Sequence, residues 1–131
     1  MIAVDTSVLV RLLIGDDARQ EAAARSLFAA NPIWIAKTVL LETGWVLRSL
    51  YGFDENEIRE AFMKLLGLKN VRAEDETAVT SALALTAHGI ELADAMHLSS
   101  RPPGARFGSF DRSFVQRSKR AGAPAVSGIP E

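Results

Sequence analysis

The fold class this sequence predicts is a parallel β-sheet covered by helices on both faces. Two features point to it. Short apolar runs of strand length alternate with helix-length segments, which is the pattern of a parallel sheet buried on both sides. No repeat, low-complexity tract or long linker interrupts the alternation. The expected architecture is therefore α/β, a three-layer α/β/α sandwich with a central parallel sheet, forming one domain over residues 1–131.

Each element has its own local signal. Ile2-Ala3-Val4 suits a buried strand ending at Asp5. Val8 to Ile14 is apolar apart from Arg11, and Gly15 stops it. Asp17 and Gln20 have capping-box spacing and open a helix through Ala30, which Asn31-Pro32 ends. Ile33-Trp34-Ile35 reads as a second strand, and Thr38 to Tyr51 is helical. Asp54 and Glu57 repeat the capping spacing before a helix from Glu55 to Leu66, with Gly67 at the C-terminal cap position. Asn70-Val71-Arg72 suits a short strand. Asp75 opens a helix with Val79, Ala82, Leu83 and Thr86 on one face, closed by Gly89. Glu91 to Ser100 forms a further helix, stopped by Pro102-Pro103-Gly104. A strand at 107–110, a helix from Arg112 to Arg120 and a last strand at Ala125-Val126 complete the chain.

Composition excludes several function classes. The 131 residues contain no Cys, 48% hydrophobic and 24% charged side chains, which rules out a disulfide scaffold and a disordered chain. The longest stretch without charge, Thr77 to Ile90, is too short and too polar to span a membrane. The first residues lack the basic head and apolar run of a signal peptide, so a cytoplasmic protein is expected. The net charge of −1 excludes binding to nucleic acid by bulk charge. The charge is unevenly spread: residues 54–94 carry a net −5, and residues 101–120 a net +5. The basic stretch reads either as a solvated helix face or as a rim beside an acidic site.

Four carboxylates stand in apolar company. Asp5 ends the first strand, where an unpaired buried acid costs several kcal/mol. Capping the next helix or pairing with an Arg would also explain it. Glu42 is the only charge from Thr38 to Leu47, in a narrow polar stripe with Thr38 and Ser49. The rest of that helix is apolar nearly all round and is expected to be buried. Asp94 falls in the first or second turn of its helix, where an anion is stabilised by the dipole. Asp111 lies between a strand and a helix and suits an N-cap. Each acid alone has such a structural explanation.

Together they suggest more. Strand order would bring them to one sheet edge, the ligand-binding edge of such folds. Two carboxylates about 6 Å apart repel by roughly 3 kcal/mol at an effective dielectric near 20. Four in one cleft need protons or cations, and all-oxygen ligands select Mg²⁺ or Mn²⁺. One or two such ions would let the acids act on an anionic phosphodiester, which bare carboxylates repel.

Asp5-Thr6-Ser7, Glu42, Leu92-Ala93-Asp94-Ala95-Met96-His97-Leu98 and Ser109-Phe110-Asp111-Arg112 together resemble the PIN-domain ribonucleases. In length and order they are most similar to the VapC toxins of type II toxin–antitoxin modules. The resemblance implies metal-dependent cleavage of RNA. It also implies that Asp5, Glu42, Asp94 and Asp111 are catalytic metal ligands, with hydroxyl support from Thr6 or Ser7 and from Ser109. It further implies a cognate antitoxin and a homodimer as partners. Ser113 stands where the family often has a further acid. Arg112 would hold RNA phosphates at the pocket rim.

Other families fit less well. A haloacid-dehalogenase-type phosphatase needs an acid where Ser7 stands. A receiver domain needs adjacent acids after its first strand and a late Lys. A non-catalytic interaction module would be expected to have lost some of the four acids. A PIN nuclease that processes RNA without an antitoxin remains the main alternative. His97 could orient Asp94, but a packed helix histidine is the favoured reading of its position. The large apolar side chains Phe28, Trp34, Trp45, Tyr51, Phe53, Phe62 and Met63 suit either core or interface.

Overall fold

A computed structural model describes residues 1–123 and 125–131. The chain forms two compact units, Met1–Glu76 and Thr77–Glu131.

The first unit begins with β1 (Ile2–Ala3), α1 (Thr6–Ile14) and α2 (Ala18–Ala30). It continues through β2 (Ile33–Ile35), α3 (Lys37–Tyr51), α4 (Glu55–Leu66) and β3 (Val71–Ala73). The three strands form one parallel sheet in sequence order. Ile2 pairs with Ile33, and Ile33 with Val71. Successive parallel strands need helical crossovers, which the helix pairs α1–α2 and α3–α4 supply. Burial alternates along β2 and β3 with the strand period: Ile33, Ile35, Val71 and Ala73 are buried, and Arg72 is exposed. Leu9, Leu40, Leu47, Ile58 and Phe62 are among the other buried apolar residues.

The second unit holds α5 (Glu76–Thr86, all but its first residue), α6 (Leu92–Ser99), β4 (Phe107–Ser109), α7 (Arg112–Arg120) and β5 (Val126–Gly128). Strands β4 and β5 pair in parallel across the α7 crossover, with Phe107 opposite Val126. The Phe107 and Phe114 rings meet edge-on at 5.6 Å. The α/β class and the parallel strands match the sequence expectation. Among the described residues the strands form two ladders, β1–β2–β3 and β4–β5.

The predicted caps form at α2 and α4. Asp17 accepts from the Gln20 N–H, and Asp54 and Glu57 make a complete capping box. Two further local signals hold and one expectation needs correction. Gly67 is the C-cap of α4, as expected, with φ −79; a side chain there would meet the Met63 carbonyl at 3.2 Å, so close approach favours glycine. Asp75 directly precedes α5, as expected; it has φ 52 and pairs with Lys37 Nζ at 2.9 Å. Helix α3 is not buried all round. Leu40, Thr43, Gly44 and Leu47 form its buried stripe, while Trp45 and Leu50 are 64% and 69% exposed. Small residues at positions 43 and 44 supply half of that stripe, so apolar content overstated how much of the helix is covered.

Candidate active site

In the first unit the site is built on the turn from β1 into α1. Asp5 leaves the strand in an extended conformation and caps α1, accepting from the Val8 N–H at 3.3 Å. The Ser7 hydroxyl donates to the same Asp5 oxygen at 2.6 Å. These donors favour the charged form, Ser7 most of all, and hold the Asp5 carboxyl below its ordinary range. Thr6 turns the other way and donates its hydroxyl to Glu42 Oε1 on α3. Thr6 and Ser7, expected to support the acids, thus each engage one carboxylate.

A groove of about 840 Å³ runs from Thr6, Ser7 and Glu42 to Arg11, Gln20 and Tyr51. At its far end Arg11 donates to Gln20 at 2.6 Å and to Asp16 at 2.7 Å, and the Tyr51 hydroxyl donates to Asp16 at 2.9 Å. The Tyr51 hydroxyl, followed by Arg11, holds the Asp16 carboxyl below its ordinary range. This network ties α1 to the ends of the loop before α2 and of α3.

In the second unit Asp94 is the third residue of α6 and half-buried. Burial pushes its carboxyl above the ordinary range, and the charge of Glu91 adds to the rise. Asp111 pushes in the same direction, while His97 and Arg117 oppose it. His97 is exposed rather than packed. Asp111 caps α7 by accepting from the Phe114 N–H at 2.9 Å, and its own N–H donates to Ser109 Oγ at 3.0 Å. Ser109 therefore positions the Asp111 backbone. Arg112 is exposed on the first turn of α7.

Three neighbours of these acids were missed from the sequence. Glu91 sits one turn before Asp94, a spacing that could have revealed it. Arg117 was read only as part of a basic stretch. Phe110, beside Asp111, is 63% exposed. Among the described residues no group of three or more His, Asp or Glu side chains has metal-binding geometry. The donors are nonetheless all oxygen, which suits a hard divalent cation.

The PIN domain profile matches residues 2–100, well over half of the chain. The chain belongs to the PIN-domain family. The match to the PIN domain includes Asp5, Glu42 and Asp94 and ends before Ser109, Asp111 and Arg112. PIN domains are generally nucleases and usually work with Mg²⁺ or Mn²⁺. No curated protein matches the chain. Among the described residues no helix is long and apolar enough to cross a membrane.

Proposed function

We propose that this PIN domain is a metal-dependent endoribonuclease and the toxin of a VapBC-type toxin–antitoxin pair. The observation that carries the reading is the fixing of two carboxylates at the start of α1, Asp5 by Ser7 and Glu42 by Thr6. An acid that merely caps a helix needs no second donor. An ionised carboxylate held in one orientation is what a ligand requires.

Residues 1–131 act as one nuclease domain. Asp5, Glu42, Asp94 and Asp111 are the residues that would hold one or two ions. When bound, Mg²⁺ or Mn²⁺ supplies charge neutralisation for the phosphodiester and a more acidic attacking water. Ser7 and Thr6 orient the first two acids, and Ser109 sets the backbone of the last. Arg112 takes RNA phosphates at the rim. Phe110 offers a face on which an unpaired base stacks. Exposed Trp45 and Leu50 on α3 form apolar surface for a homodimer. The antitoxin inhibits by placing an Arg of its tail among the acids, where it substitutes for metal charge.

The test uses purified protein with labelled RNA and DNA of the same sequence. RNA should be cut, cutting should stop with chelator and return with Mn²⁺ or Mg²⁺, and Asp5→Asn should be inactive. Full cleavage by a clean Asp5→Asn preparation overturns the site assignment. For the toxin role, a short reading frame next to the gene should encode a DNA-binding protein that blocks cleavage. Its absence would leave an RNA-processing nuclease. Inhibition that survives Arg-to-Ala changes in the partner's tail would mean another blocking mode.

A further inference from the structure

Arg117 is a cation with donors to spare. It lies on α7, which Asp111 caps. Side chains on a helix lean toward its N-terminus, so a long side chain at position 117 runs back along the turn before it. There its Nη1 donates to Ser113 Oγ at 2.7 Å. Its Nε is desolvated and has no hydrogen-bond partner among the described residues. A guanidinium has five N–H donors, and Ser113 takes one of them. Among the described residues it makes no ion pair, and a partly buried cation is costly unless something else completes its shell. The anions whose field it shares are those of this end of the site, since its charge acts on Asp94.

Ser113 explains why the charge stays available. An acid at that position, four residues before Arg117, would form an i,i+4 ion pair and neutralise it. The serine hydroxyl fixes the guanidinium without adding a negative charge beside it. The helix thus carries a tethered fork, which is the geometry suited to a phosphate oxygen pair.

We propose that Arg117, held by Ser113, binds a backbone phosphate of the RNA at the Asp94–Asp111 end of the site. The proposal rests on the nuclease reading for its ligand. It assigns a role to a residue that lies beyond the part of the chain matched to the family, and to the serine that holds it.

The experiment measures binding of a single-stranded RNA oligonucleotide in chelator, by fluorescence anisotropy, from about 50 to 200 mM salt. Each phosphate contact to a single strand contributes about 0.7 to the slope of log affinity against log salt. Arg117→Ala should lower the slope by about 0.7 and weaken binding about tenfold. Ser113→Asp should lower the slope similarly by neutralising the guanidinium, and combining it with Arg117→Ala should add little. Arg117→Lys should keep the slope and weaken binding. An unchanged slope in folded Arg117→Ala overturns the proposal. If that variant does not fold, an unchanged slope in Ser113→Asp overturns it instead. Cleavage assays separate the two readings. A wild type that binds RNA with this slope difference but cuts none defeats the nuclease and leaves the Arg117 contact. A wild type that cuts RNA with no slope difference does the reverse.

Discussion

Asp5 and Asp94 are the same residue type in opposite surroundings. Asp5, in the first unit, is exposed and supplied with donors from Ser7 and the Val8 N–H. Asp94, in the second unit, is half-buried, with Glu91 and Asp111 raising its carboxyl. One carboxyl is held below the ordinary range and the other above it. Helix position does not explain the contrast, because both acids lie at the start of a helix, where an anion is favoured. The deciding factors are the hydrogen-bond donors around Asp5 and, at Asp94, desolvation and like charge. The surroundings of Asp5 favour its anion, while burial and acidic neighbours disfavour the anion of Asp94.

The largest test of this contrast is activity. Asp5→Asn and Asp94→Asn should each reduce RNA cleavage by on the order of 10²-fold or more, since loss of a ligand costs at least as much as loss of a ligand's supporting partner. Retained cleavage in one variant would make the two acids unequal in function as well as in environment. Next comes Phe110→Ala. Loss of a stacked base should weaken RNA binding by about 1–3 kcal/mol with little change in melting temperature, because the ring is exposed. Unchanged affinity would remove Phe110 from the RNA path.

Stability should then respond with opposite signs in the two units. Folded Asp94 keeps its proton at pH values where unfolded aspartate, with an ordinary value of 3.8, has released it. The folded state binds more protons there, so stability falls as pH rises from the ordinary value through the raised one. Metal-free Asp94→Asn should therefore melt higher than wild type at neutral pH, and the gain should vanish in acid. Added Mn²⁺ should raise the wild type more than the variant. Asp5 behaves in reverse: its contribution is present above the ordinary value and is lost as pH falls through the lowered one. Asp5→Ala also removes the cap of α1 and should cost about 1 kcal/mol, a few degrees in a thermal melt. A lower metal-free melting point for Asp94→Asn would identify Asp94 as a simple helix-dipole acid.

The smallest effect expected is that of Ser7→Ala. Asp5 should then titrate closer to its ordinary value, with a stability loss below about 1 kcal/mol because the bond is exposed. Carbon-detected NMR titration of the carboxyl reads the shift directly. No shift would transfer the effect to the Val8 N–H.

Local signals determined most of the elements. The Asp17 and Asp54 caps, the Gly15 stop and the bounds of α7 all depend on residues within a few positions of one another, and the structure places them as the sequence predicts. The roles of Asp5 and Asp111 as caps were legible for the same reason. The sequence also named Thr6, Ser7 and Ser109 as supporting hydroxyls, through the family resemblance. Tertiary structure decided what depends on distant residues. That Thr6 bonds Glu42, thirty-six positions away, required α3 to pack beside α1. That Trp45 and Leu50 face outward depended on which stripe of α3 is buried against its neighbours. The protonation preference of Asp94 came from its burial and the summed field of Glu91, Asp111, His97 and Arg117. Caps and turns are short-range geometry, which neighbouring residues fix. Burial and electrostatic fields sum over groups brought together only by folding, so they become readable only once the chain has its three-dimensional form.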